Sequence, residues 1–141
     1  MRCEEMMSRT VATLPMDATV LEAARLMAER DIGFIPLVDQ SGKAAGTVTD
    51  RDIVVRCLAK GDDPKKAKLS QYGGNHVVCV QTGDDVSKAQ QLMQENKIQR
   101  ICVCDAEHRP MGVISLMDLA EREDERQVGK TVQDVKQPSV H

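Results

Sequence analysis

Short apolar runs alternate along the chain with amphipathic stretches. In "VLEAARLMAER", Val20, Ala23, Ala24 and Met27 fall at i, i+3, i+4 and i+7, the stripe of a helix packed by one face. Asp17 or Thr19 stands before it as a candidate cap. "FIPLVD" (34–39) and "AAGTVTD" (44–50) are apolar runs of strand length, and "QSGK" between them supplies turn residues, so a hairpin is expected. "RDIVVRCLAKG" (51–61) reads as a second helix stopped near Gly61. A short apolar run in "VATLP" precedes the first helix. The predicted order is strand, helix, strand, strand, helix.

The same order recurs. With an offset of 66 and no gaps, residues 11–54 and 77–120 share 11 identities. They include Val20/Val86, Ala23/Ala89, Met27/Met93, Ile35/Ile101, Asp39/Asp105, Gly46/Gly112 and Asp52/Asp118. Most are apolar or turn positions, which one shared fold would demand. The second copy runs through "VVCV", "VSKAQQLMQENK", "RICVCD", "MGVISL" and "MDLAEREDER". A single copy would leave one sheet face uncovered, and two copies packed together remove that problem. The connection "AKGDDPKKAKLSQYGGN" has the Pro, Gly and charge of a surface linker. Lys65, Lys66 and Lys68 read as its solvated face, and "YGGN" as a flexible turn. "GKTVQDVKQPSVH" reads as a frayed terminus.

Composition narrows the function classes. At 141 residues with 41% hydrophobic and 29% charged residues, the chain reads as globular. No apolar run is long enough to span a membrane, and "MRCEEMMSR" does not resemble a secretory signal. A net charge of -3 and the near absence of aromatic residues argue against a nucleic-acid binder. Five cysteines without a secretion signal suggest free thiols in a reducing cytoplasm. Cys102 and Cys104 would share a strand face and fill a core. There is no C-x-x-C pair and no zinc-type histidine spacing, so no metal ligand is assigned.

The chemistry concentrates in a repeated turn: "GTVTDRDI" carries Thr49 and Asp52, "GVISLMDL" carries Ser115 and Asp118. Two readings compete. A hydroxyl followed three residues later by an acid resembles a capping box, although Glu or Gln is the usual partner. The same turn could hold a nucleotide: the hydroxyl reaches a phosphate oxygen and the carboxylate accepts from a ribose diol. The glycine three residues before each hydroxyl suits a close approach of backbone or ligand.

These residues give the chain its resemblance to a tandem pair of CBS domains, the cystathionine-β-synthase-type module. It rests on the "EEMMSRTVATL" leader, "DIGFIPLVD" with "KIQRICVCD", and the two turns, and covers Met6 to about Arg122. The resemblance implies an α+β fold of two β-α-β-β-α repeats related by a pseudo-twofold axis. The repeats are drawn at 1–61 and 76–126, with a linker at 62–75 and a charged tail at 127–141. It further implies a homodimer, and ligands such as AMP, ADP, ATP, NAD or S-adenosylmethionine. Asp52 and Asp118 would hold ribose, and Thr49 and Ser115 phosphate. Ile35, Pro36 and Ile101 belong to the same strand segments and are carried as contacts. The family position fifteen before the hydroxyl is Arg100 in one copy and Phe34 in the other. Arg100 would clamp a phosphate; Phe34 could cover an adenine, with Arg51 or Arg56 supplying the cation. Cys102 stands where the family often has proline, as Pro36 does.

The expected function is a regulatory adenine-nucleotide-binding module acting through dimer packing on an effector protein that the sequence does not name. A structural dimer with silent sites, and a metal or redox sensor using Cys57, Cys79, Cys102 and Cys104, are the alternatives. No nucleophile, base and orienter set is present. His76, His108 and His141 fall in a loop or strand start, a turn and the terminus, so no catalytic residue is assigned.

Overall fold

The computed structural model describes residues 1–9, 11–72 and 77–122. Residues 73–75 of the "YGGN" turn, His76 and the 127–141 tail lie outside the described residues. Each repeat builds its own three-stranded sheet. In the first, β1 (Leu14–Pro15) runs parallel to β2 (Phe34–Val38), which pairs antiparallel with β3 (Ala44–Thr49). In the second, β4 (Cys79–Gln81), β5 (Arg100–Cys104) and β6 (Pro110–Ser115) repeat that order. The long helices α2 (Val20–Arg30) and α3 (Val86–Asn96) connect the parallel strands. The expected α+β fold and hairpins are present.

The local chemistry repeats with the same offset. Thr19 caps α2 with a capping box closed by Glu22, and Asp85 caps α3 through Ser87 N–H. Both helices end in a left-handed residue, Asp31 at φ 55 and Lys97 at φ 53. Asp39 Oδ1 accepts from Ser41 N–H and Lys43 N–H, just as Asp105 Oδ1 accepts from Glu107 N–H and Arg109 N–H. These Asp-led turns fix the two hairpins.

The compact units do not follow the repeat boundaries drawn from the sequence. Residues 1–9 pack with 78–122, while 11–72 pack together. The linker lies in the first repeat's core: Ala67, Leu69 and Tyr72 are buried beside Val20, Ile35, Leu37 and Ile53. Val20 N–H donates to the Ala67 carbonyl, and Leu69 N–H to that of Ala18, each at 2.9 Å. Tyr72 also donates its hydroxyl to Asp62, which pushes the phenol pKa well up. Lys65, Lys66 and Lys68 face solvent, as expected, together with Asp62, Asp63, Ser70 and Gln71.

The leader does the same for the second repeat. Helix α1 (Cys3–Met6) buries Cys3 and Met6, and Met7 follows them, in one core with Val86, Met93 and Leu119. Val86 N–H donates to the Met1 carbonyl, and Cys3 N–H to that of Asp84, each at 2.8 Å. These bonds are the linker's bonds shifted by 66. Residues 1–6 are therefore the counterpart of 67–72, and each repeat is completed by the segment that precedes the other.

One expected helix has a different form. "RDIVVRCLAKG" contains a π-helix over Asp52–Leu58, with Ala59 N–H bonded to the Val54 carbonyl and Asp62 N–H to that of Cys57. Three consecutive β-branched residues, Ile53, Val54 and Val55, are poor formers of a tight α-turn. Ile53 and Cys57 point inward, while Val54, Val55 and Leu58 remain 41–56% exposed. Gly61, at φ 82, ends the segment as expected. The second repeat has the α-helix α4 (Leu116–Arg122) at this place.

Candidate functional site

Both repeated turns sit where a strand passes directly into a helix. Thr49 is the last residue of β3; its N–H donates to Asp52 Oδ2 at 2.9 Å, and Asp52 N–H donates to Thr49 Oγ1 at 3.1 Å. Ser115 and Asp118 make the same two bonds at 2.9 and 3.1 Å. The capping-box geometry is closed in both copies by Asp, despite its shorter reach. Each cap uses a single carboxylate oxygen, Oδ2, so capping and ligand binding are compatible in one turn.

The strand register brings the distant residues to these turns. Phe34 lies directly opposite Thr49, and Arg100 directly opposite Ser115. Phe34 is half-buried and Arg100 exposed. The next residues, Ile35 and Ile101, are fully buried and belong to the two hydrophobic cores, so a ligand could meet only their backbone. Pro36 and Cys102 point to the opposite sheet face and are also buried.

The two turns differ in charge. At the first, Arg56 lies 3.7 Å from Asp52 Oδ1 and donates to the Tyr72 carbonyl at 3.2 Å. Arg51, exposed, opens the π-helix, and Asp50 adds a second carboxylate, folded back over Gly33. A Cβ at Gly33 would lie 2.6 Å from Asp50 Oδ2, so a larger residue there would push the exposed Asp50 side chain aside. At the second turn, Leu116 and Gln99 replace Asp50 and Gly33, and Arg100 supplies a cation. Gly112 lies against the leader. A Cβ there would lie 2.6 Å from Met7 Sδ and from the Ser8 carbonyl oxygen. Ser8 and Val113 exchange backbone hydrogen bonds across this close approach. Gly112 admits the leader's backbone.

Residues 3–58 and 70–125 both match the CBS domain family. The chain belongs to the CBS-domain family as a tandem pair. This CBS pair is 30% identical over 139 residues to the CBS domain-containing protein YhcV of Bacillus subtilis, covering 98% of this chain and 97% of that protein. It is 28% identical over 134 residues to hypoxic response protein 1 of Mycobacterium tuberculosis, covering 95% and 93%. The crystal structure of hypoxic response protein I, which holds two coordinated zinc ions, superposes with a TM-score of 0.80 over 88% of this chain and all of that one. The CBS protein PAE2072 of Pyrobaculum aerophilum, crystallised with AMP, shares the fold at 24% identity and a TM-score of 0.79, covering 94% and 99%.

A second cluster was not legible in the cysteine spacing. Cys79 of β4, Cys104 at the end of β5 and His108 in the β5–β6 turn bring their ligand atoms within 4.8 Å of one another. Cys79 Sγ lies 3.7 Å from His108 Nδ1, and Cys104 Sγ lies 3.8 Å from Cys102 Sγ. A hydrogen bond to Cys104 and burial push the Cys79 thiol well up, and a hydrogen bond to Cys102 and burial raise Cys104 to about 12. The parallel pairing of β4 with β5 makes the cluster, and sequence spacing does not contain it. Among the described residues, no helix is long and apolar enough to cross a membrane.

Proposed function

We propose that this CBS pair is a regulatory module, not an enzyme, that binds an adenine nucleotide and signals through a change in dimer packing. The observation that carries the reading is the Ser115–Asp118 turn with Arg100 directly across the ladder. A carboxylate for ribose, a hydroxyl for phosphate and a guanidinium for phosphate charge then stand at one strand end. AMP bound to PAE2072, a CBS protein of the same fold, supports this ligand class. ADP, ATP, NAD and S-adenosylmethionine share the adenosine that the turn would hold. The binding requires no metal.

The first turn would take its ligand differently. Thr49 and Asp52 repeat the polar pair, Phe34 offers an apolar cover, and Arg51 and Arg56 are its nearby cations. Asp50 opposes a phosphate there. The turn at Ser115 is therefore the phosphate-preferring site. The exposed side chains of Val54, Val55 and Leu58 suit a self-complementary contact between two copies, as a homodimer needs. Five free cysteines fit a reducing cytoplasm. The readout would pass to an effector protein.

Thermal unfolding with each of the five ligands tests the reading. A ligand at a hundred times its dissociation constant adds about 2.7 kcal/mol, a shift of ~10 °C for a chain of this size. No shift with any of them at millimolar concentration would leave the turns as helix caps.

A further inference from the structure

We propose that Cys79, Cys104 and His108 form a binding site for a thiophilic divalent cation, with zinc the best match. The site is independent of the nucleotide reading. Tetrahedral zinc bound by sulfur at about 2.3 Å and nitrogen at about 2.0–2.1 Å sets its ligand atoms about 3.6–3.8 Å apart. Cys79 Sγ and His108 Nδ1 already stand at 3.7 Å, and all three ligand atoms lie within 4.8 Å of one another. Side-chain rotation would close the remaining separations to these values. Two thiolates and an imidazole select zinc or a similarly soft ion over magnesium or calcium.

Three features make this more than a chance approach. The trio occurs in one repeat only, since its counterparts at offset 66 are Thr13, Val38 and Gly42. The turn position occupied by Gly42 at φ 80 is taken by His108 at φ 65, a conformation that glycine accepts more readily. The ring is also held on a braced turn: Asp105 Oδ1 accepts two backbone N–H bonds, and its Oδ2 accepts from Arg109 Nε at 2.9 Å. Cys104 is fully buried, whereas Cys79 is half-buried and His108 exposed, so an ion can enter from the turn side.

Binding is balanced simply. The two S–H bonds break, two metal–sulfur bonds form, and two protons leave to solvent. The dication with two thiolates and a neutral imidazole carries no net charge. Three protein ligands leave one coordination position for water or an exogenous ligand.

The test is a titration of the reduced, chelator-treated full chain with Co²⁺, followed by displacement with Zn²⁺. The native chain should take up one Co²⁺, giving thiolate-to-cobalt charge transfer and the visible bands of a tetrahedral ion. His108→Gly restores the residue type that the first hairpin uses, so the turn keeps its geometry. It should weaken Co²⁺ binding at least tenfold with an unchanged circular dichroism spectrum, and so should Cys79→Ser. No thiolate–cobalt band in the native chain would overturn the proposal. So would a band of undiminished affinity in His108→Gly and Cys79→Ser.

Discussion

Ser115 and Asp118 hold each other through two backbone hydrogen bonds, Ser115 N–H to Asp118 Oδ2 and Asp118 N–H to Ser115 Oγ. The pair thus has a structural role whatever ligand the turn receives. Asp118→Ala should cost about 0.5–2 kcal/mol of stability, the usual loss for a helix cap. Asp118→Asn keeps an acceptor for Ser115 N–H and should cost less. Denaturant unfolding of the two variants separates the cap from the charge. Equal losses would show that the carboxylate charge, and not the hydrogen bond, supports the turn.

The crossed completion of the repeats makes the linker a core segment. Leu69 is fully buried among Val20, Ile35 and Val48. Leu69→Ala should destabilise the protein by about 2–5 kcal/mol, the range for a buried leucine. A surface linker would lose almost nothing. A chain lacking residues 1–9 should lose stability as well, because Cys3, Met6 and Met7 cover the second core.

Gly112→Ala forces a methyl group into the Ser8 carbonyl oxygen and the Met7 side chain. Met7 can move, but the backbone at Ser8 cannot move without losing its bonds to Val113. A cost of about 1–3 kcal/mol is expected. Gly83→Ala, where a Cβ meets nothing within 4 Å, is the matched control and should be near neutral. Chemical denaturation of the two variants side by side is the check.

Asp85 caps α3, and its pKa is lowered from 3.8 to about 2 by the Ser87 hydroxyl and N–H and by the chain's amino terminus. A carboxyl depressed in the folded state contributes stability that is full above pH 3.8 and disappears as pH falls through about 2. Asp85→Asn should therefore flatten the acid limb of the stability curve between these values. An unchanged acid limb would remove Asp85 from the account.

The elements and both turns were legible because the repeats preserve the residues that form them. Strand register, the Asp39 and Asp105 turns and the Thr49–Asp52 spacing all recur at one offset. The crossed leader and linker were hidden because their matches are apolar but not identical: Cys3 against Leu69 and Met6 against Tyr72. The π-helix was hidden because burial at Ile53 and Cys57 also fits an α-turn. Asp closes both caps despite its shorter reach where the strand enters the helix without an intervening residue. The cysteine–histidine cluster required the pairing of β4 with β5, which brings residues 79 and 104 together.

Nucleotide binding at the two turns is measured by calorimetric titration of AMP, ADP, ATP, NAD and S-adenosylmethionine into the native chain, Asp52→Asn and Asp118→Asn. The asparagine variants keep an acceptor for the Thr49 and Ser115 N–H groups and are expected to stay folded, so lost heat reports lost binding. Saturable binding of at least one of these ligands is expected, with a drop of tenfold or more in Asp118→Asn. Unchanged affinity in both variants, or no heat from the native chain with any of the five, would contradict it.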